Sequence, residues 1–256
     1  MKIISISLQK GGTAKTTTAL NLAADLGKMG KKVLLIDMDS QANASFASGL
    51  NTKDLDNSLF NVLTNNSKYK CRIREAILKL KYYDIVPADR DVAYLVDELI
   101  SSYVLESVLK TISNAYDYVV LDTPPNLSIV TLNAMVASDY IIIPIEPKPF
   151  NFTGMRDLED TIKDIQKNWN KSLKVLGILL VKYSNRTNLN KQMKELIESE
   201  AVKLDTTCFE CSIREGIAVS ESQLKQMPLI DHSPSAKPTI DYKAFTTEVL
   251  KRLGDL

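Results

Sequence analysis

The chain has 256 residues, 45% hydrophobic and 25% charged, ordinary proportions for a soluble globular protein able to bury a sizeable core. Its 32 Lys plus Arg nearly balance 31 Asp plus Glu, so bulk charge excludes an overall pull toward nucleic acid and leaves only local clustering. Three cysteines, Cys71, Cys208 and Cys211, exclude a disulfide scaffold and suit a reducing compartment, with the cytoplasm as the expected location.

The first apolar run, Ile3–Leu8, is followed at once by Lys10 and two glycines, so it is neither a secretory signal nor a membrane span, and no later run reaches eighteen apolar residues. Further short runs follow at Val33–Ile36, Ile85–Val86, Tyr118–Leu121, Tyr140–Ile145 and Val175–Val181. Val119-Val120-Leu121 and Ile141-Ile142-Ile143 do not alternate with polar residues, the pattern of parallel strands covered on both faces. Between them, Leu158, Ile162, Ile165 and Trp169 have the spacing of one helical face. Asn65–Lys70 and Leu229–Pro238 read as surface loops, and His232 within the second as an exposed loop residue. Tyr242, Phe245, Val249 and Leu253 lie on one face of a closing helix packed on the core. The alternation predicts an α/β fold, a doubly wound, mostly parallel sheet with helices on both faces, and a single domain over residues 1–256.

The chemistry concentrates in Lys10-Gly11-Gly12-Thr13-Ala14-Lys15-Thr16-Thr17, between the first strand and a helix that starts near Lys15 and continues through Leu20, Leu22, Ala23 and Leu26. A glycine-containing turn at such a junction presents backbone N–H groups to one concavity, and the helix N-terminus adds positive potential, so a polyphosphate fits. Lys15 would reach the β- and γ-phosphates and Thr16 would offer its hydroxyl to Mg²⁺. The strict phosphate-loop pattern is broken, because Gln9 and Ala14 stand where its two glycines belong. Alanine at 14 suits the loop if its backbone keeps a negative φ.

With Lys10 five residues before Lys15, the segment resembles the deviant Walker A motif of the ParA/MinD family, KGGxGKTT. Val33-Leu34-Leu35-Ile36-Asp37-Met38-Asp39-Ser40-Gln41-Ala42-Asn43 resembles that family's VLLIDxDPQxN stretch, and Val119–Pro125 its Walker B strand and switch. Weaker likeness runs through Pro144–Pro147, Tyr183–Asn188 and Ile213–Ser222, so the resemblance spans essentially the whole chain. It implies ATP and Mg²⁺ as cofactors, with Lys10, Lys15 and Asp39 as catalytic residues. Nucleotide would be held by residues 10–17 with Ile213 and Arg214, and Mg²⁺ by Thr16, Asp37 and Asp122. Asp122 would hold the ion through water and Asp39 would orient the attacking water. Lys10 would reach a second subunit's nucleotide, coupling hydrolysis to an ATP-dependent homodimer.

The family divides by partner. Membrane-surface members of the MinD type carry a strongly basic amphipathic C-terminal helix, whereas Glu248 and Asp255 here dilute Lys243, Lys251 and Arg252. The resemblance therefore implies a partition ATPase: non-specific double-stranded DNA, a ParB-type centromere-binding partner, no membrane, and a nucleoid-associated place in the cytoplasm. DNA-binding candidates are Lys182, Arg186, Arg214, Lys237, Lys243 and Lys251, with Lys191, Lys194 and Arg252 beside them. No residues precede the first strand, so a helix-turn-helix extension and site-specific autoregulation are not expected. A third possibility is an iron–sulfur scaffold of the Mrp type, because Cys208-x-x-Cys211 has ligand spacing, although strand alternation would put Phe209 and Cys211 on one face.

Overall fold

The computed structural model of the chain describes residues 1–99, 101–184 and 188–256. Its strands are β1 (Lys2–Ile6), β2 (Val33–Asp37), β3 (Leu78–Lys79), β4 (Asp84–Val86), β5 (Tyr118–Asp122), β6 (Tyr140–Ile145), β7 (Lys174–Val181) and β8 (Cys208–Ile213). They form one sheet in the order β3-β4-β2-β5-β1-β6-β7-β8, and only the two-residue edge strand β3 runs antiparallel to its neighbour. The predicted doubly wound, mostly parallel sheet is present.

The unbroken apolar runs have the expected cause. Along β5, Val120 packs into one core cluster while Val119 and Leu121 pack into the cluster on the opposite face, and Leu35 in β2 is likewise flanked by Leu34 and Ile36. Successive strand side chains point to opposite faces, so a sheet covered on both sides needs apolar residues at every position. The helices Lys15–Lys28 and Lys237–Leu253 cover one face, with Leu22, Leu26, Tyr242, Phe245 and Val249 at most 1% exposed. Helices Pro149–Asn168 and Asn188–Lys203 pack over Ile143 and Ile178 through Leu158, Ile162 and Ile197.

Three local expectations change. Leu229–Pro238 is not one loop: Leu229–His232 forms a helical turn, and the last helix begins at Lys237, where Pro238 fits the first turn because its missing N–H would be unpaired there anyway. His232 ends that turn with its side chain only 10% exposed, 3.4 Å from Glu221. Trp169 leaves the helical face of Leu158 and Ile165, because as C-cap its φ of −129° turns it outward to 37% exposure.

β1 lies between β5 and β6, and the chain fills one side of the sheet before crossing to the other. The end of β1 is therefore a topological switch point, where loops diverge and leave a crevice beyond the strand ends.

Candidate functional site

The crevice holds the Lys10–Thr17 loop. Gly12 (φ +76°) and Ala14 (φ +59°) both adopt the left-handed conformation, so the negative φ expected at Ala14 is not found. Ala14 is the N-cap of the helix that starts at Lys15, and it makes the turn into that helix in the left-handed conformation. No side chain caps the helix and no acidic residue lies in its first turn. Its leading N–H groups thus remain for a ligand, with the helix dipole adding attraction for an anion.

Lys15 is buried, 7% exposed, and its Nζ donates to the Lys10 carbonyl oxygen at 2.7 Å. Burial pushes its ammonium below the ordinary lysine range, against the pull of the nearby Asp122 and Asp39 carboxylates. Thr13 Oγ1 donates to the same carbonyl at 3.3 Å. The Lys10 side chain, by contrast, is exposed at the mouth of the loop.

Asp37 and Asp122 end adjacent parallel strands as register partners. Asp37 is saturated: Oδ2 accepts from Ser45 N at 2.8 Å and Ser45 Oγ at 2.7 Å, and Oδ1 accepts from Asp39 N at 3.2 Å. Burial pushes its carboxyl up to about 6 despite those donors. Its visible work is to hold the segment from Asp39 to Ser45 against the site. Asp122 is 1% exposed, and both its carboxylate oxygens lack a hydrogen-bond partner among the described residues. Burial, with Asp37 adding, raises its carboxyl well above the usual range, opposed by Thr16 and Lys15. A buried carboxylate with two empty acceptors calls for a cation or ordered water.

Asp39 closes the far wall, its Oδ1 accepting from Gln41 N at 3.0 Å. A cleft of about 690 Å³ is lined by residues 11–17 and by Asp39, Gln41, Asn43, Phe46, Thr123 and Lys182. An adjoining cavity of about 420 Å³ shares Ala14, Thr17 and Lys182 and runs along Ile213, Arg214 and Gly216 to Tyr242. Together they have the volume and mixed lining of a nucleotide-sized site. Among the described residues no cluster of three His, Cys, Asp or Glu could hold a metal alone. One threonine and one or two carboxylates completed by water and ligand oxygens is how Mg²⁺ is held.

Of the other sequence-chosen residues, Ile213 and Arg214 do line the cavity, but the Arg214 guanidinium is committed to Asp241, with Nε–Oδ2 2.8 Å and Nη2–Oδ1 2.6 Å. Lys182, chosen as a DNA contact, stands in the cleft, where its Nζ donates to the Gly12 carbonyl oxygen at 3.3 Å. Lys251 borders a different cavity with Lys174 and Cys211, whereas Lys237 and Lys243 lie along the last helix, Lys243 Nζ donating to Pro234 O at 3.5 Å. Arg252 stacks on Phe209 at 4.1 Å and donates to Cys208 O at 2.7 Å, a packing role. Arg186 lies outside the described residues. Arg214 lies beside both Lys182, across the shared cavity, and Lys237, whose carbonyl oxygen accepts from its Nη2 at 3.5 Å.

Phe46, Gln223 and Leu224 also line the cleft without having been singled out. No motif marks them; Gln223 is placed by its Nε2 donating to Thr17 Oγ1 at 3.0 Å. Cys208 and Cys211 pack against core clusters on opposite sheet faces, and burial pushes their thiols up to about 11 and about 12. The two thiols thus face opposite sides of the strand and not one common point.

A model of an AAA domain matches residues 1–175. The chain is 32% identical to the chromosome partitioning protein ParA of Myxococcus xanthus over 255 residues, covering 98% of this chain and 88% of that one. It is 31% identical to the sporulation initiation inhibitor protein Soj of Bacillus subtilis over 252 residues, 97% of this chain and 98% of the relative. Among solved structures it is similar to the septum site-determining protein MinD of Pyrococcus horikoshii complexed with Mg-ADP, with a TM-score of 0.79, 26% identity, and 99% and 97% of the two chains covered. Matches across nearly the full length, joined to a two-lysine phosphate loop at the switch point of this sheet, establish that the chain belongs to the ParA/MinD family of ATPases.

Proposed function

We propose that the protein is a Mg²⁺-dependent partition ATPase of the ParA type, acting as one unit over residues 1–256. ATP would drive formation of a homodimer that binds double-stranded DNA without sequence preference, and a ParB-type partner would stimulate hydrolysis and release it. The carrying observation is that the buried, partly desolvated Lys15 lines the cleft within the electrostatic reach of the buried Asp122 carboxylate, whose oxygens have no hydrogen-bond partner among the described residues. Such an arrangement fits an anion at the loop and a cation at the carboxylate.

Thr16 and Asp122 would hold Mg²⁺, with Asp37 supporting them from behind through the segment it anchors. When bound, the ion neutralises phosphate charge that develops during phosphoryl transfer. Lys15 leaves the Lys10 carbonyl for the phosphates, and that exchange frees the Lys10 segment to extend outward. The exposed Lys10 ammonium is available to a second subunit, where a cation delivered in trans acts as an arginine finger does. Asp39, at the cleft wall, orients the attacking water.

The likeness to a chromosome partitioning protein over nearly the full chain supports the partition reading, and so does the last helix. Its apolar face of Tyr242, Phe245, Val249 and Leu253 is already spent on the core. Among the described residues no helix is long and apolar enough to cross a membrane. The expected location is the cytoplasm, in association with the nucleoid.

The test is a DNA shift assay with ATP, ADP and no nucleotide across a salt series. Retention that requires ATP, ignores sequence and weakens steeply with salt supports the reading. Nucleotide-independent or absent DNA retention, or ATP-dependent binding to liposomes in its place, refutes it.

A further inference from the structure

At the opposite end of the sheet from the phosphate loop, the N-terminal ends of β2 and β4 border a groove of about 600 Å³, between the β3–β4 hairpin and the segment Ile112–Tyr116 that leads into β5. Five cations line it, Lys31, Lys32, Arg74, Lys79 and Lys81, against one carboxylate, Asp84. A chain of formal charge +1 thus gathers four net positive charges in one groove. Among the described residues only Lys81 of the five is in an ion pair, with Asp231 at 2.8 Å, and Asp84 is occupied by Tyr116 Oη, which donates to it at 2.7 Å. The walls are held in place: Lys32 N donates to Asp117 Oδ2 at 2.7 Å on one side, and on the other Tyr82 Oη donates to the same Asp231 at 2.7 Å. Between them the floor is apolar, with Ile77 and Tyr116 half-buried against the core and the Tyr82 ring beside them.

We propose that this groove docks an extended acidic protein segment, whose carboxylates meet Lys31, Lys32, Arg74 and Lys79 while an apolar side chain between them settles on Ile77 and Tyr82. Like charges fixed on preformed walls repel one another, and an anionic partner relieves that repulsion at little ordering cost to the groove. The floor decides the kind of partner. A nucleic-acid duplex carries its phosphates on a wide convex surface, so it would reach the rim cations and leave the apolar floor unfilled. An extended peptide sends successive side chains to opposite sides and can satisfy rim and floor together. Lys32 immediately precedes β2, whose far end is Asp37, four residues and about 13 Å beyond Val33. Neither a nucleotide nor a second subunit meeting across it covers the groove, so docking there is independent of ATP.

The experiment follows the fluorescence anisotropy of a labelled short peptide of Glu-Glu-Leu repeats, its Glu-Glu-Ser counterpart and a labelled DNA duplex against the full chain, with and without Mg-ATP and at low and high salt. The variants are Lys32→Glu with Lys79→Glu and, as a control of equal charge outside the groove, the exposed Lys53→Glu with Lys171→Glu, with melting curves to verify folding. The expected result is saturable binding of the Leu peptide below about 1 mM, a Kd raised about tenfold or more in K32E/K79E and by less than about threefold in the control pair, and weaker binding of the Ser peptide and at high salt. Mg-ATP should leave the Kd within about twofold of its value without nucleotide. No saturation in that range, a loss in K32E/K79E no greater than in the control, or equal affinity for the Leu and Ser peptides overturns the proposal. A larger shift with Mg-ATP overturns the independence from nucleotide. Duplex binding that K32E/K79E abolishes, in place of peptide binding, makes the groove a nucleic-acid surface instead.

Discussion

Asp37 and Asp122 are register partners at the ends of β2 and β5, 0% and 1% exposed, and the Asp37 carboxylate adds to the burial that raises the Asp122 carboxyl. Asp37 has three donors; Asp122 has none among the described residues. The pair is a place where folding leaves negative charge that the protein alone does not neutralise, with Lys15 nearby as a partial counterweight and Asp39 adding to the load.

Stability without nucleotide should therefore fall as pH rises. Asp37 moves from an ordinary value of 3.8 to about 6 on folding, so between those values the folded state binds more protons than the unfolded one, and the protonated form is the stabilised one. The loss on passing from pH 4 to 8 is on the order of 2–3 kcal/mol from this group, and Asp122 shifts in the same direction. Asp122→Asn should raise the melting temperature of the nucleotide-free protein at pH 8 by about 3 °C or more while abolishing Mg²⁺-dependent hydrolysis. Calorimetry across pH, with and without Mg-ATP, checks both parts. A lower melting temperature for D122N at pH 8 would mean that the carboxylate is stabilising as it stands.

Lys10→Ala separates binding from turnover. Lys10 contributes its carbonyl to Lys15, which any residue supplies, and an exposed ammonium, which only the lysine supplies. ATP affinity of the variant should stay within a few fold of the parent. ATP-dependent dimerisation, followed by light scattering, should be lost, and phosphate release should fall by about 1,000-fold or more, the scale of a cation supplied in trans. A variant that pairs and hydrolyses like the parent would exclude the trans role.

What could be read from the sequence depended on how local each determinant is. The phosphate loop, the strand-end aspartates and the double-faced strands are written in consecutive residues, and the fold follows from them. The position of Lys182 was not legible, because its neighbour Gly12 is 170 residues away and is brought close only when β7 takes its place in the sheet. Arg214 likewise looked like a free cation until the last helix set Asp241 against it. Ala14 looked compatible with a negative φ because a composition-level departure from glycine says nothing of the turn that the N-cap must make.

Ala14 carries a stability cost that its replacement should recover. At φ +59° its Cβ crowds the following carbonyl, at about 1 kcal/mol relative to glycine. Ala14→Gly should raise the melting temperature by about 2–4 °C and leave ATP affinity unchanged or improved. Differential scanning fluorimetry with an ATP titration reads both. Destabilisation by the glycine would mean that unfolded-state entropy outweighs the relief of the left-handed turn.

Gly27 should behave in the opposite way. It lies in the last turn of the helix Lys15–Lys28, where the ordinary preference is for alanine. A Cβ built on it would stand 1.7 Å from the carbonyl oxygen of Tyr82, which is backbone and cannot rotate aside. Tyr82 is itself pinned, its hydroxyl donating to Asp231 at 2.7 Å, so the segment ahead of β4 cannot retreat without breaking that bond. Gly27→Ala should thus destabilise by about 3 kcal/mol or more despite its better helix propensity, through overpacking of a backbone contact. Urea denaturation of the variant beside Gly30→Ala distinguishes the causes. Gly30 has φ +84° and nothing within 4 Å of its built Cβ, so its variant reports left-handed strain alone and should lose only about 1–2 kcal/mol. If G27A is no worse than G30A, the helix stands off Tyr82 in solution, and the close approach of the first helix to the β4 edge is wrong.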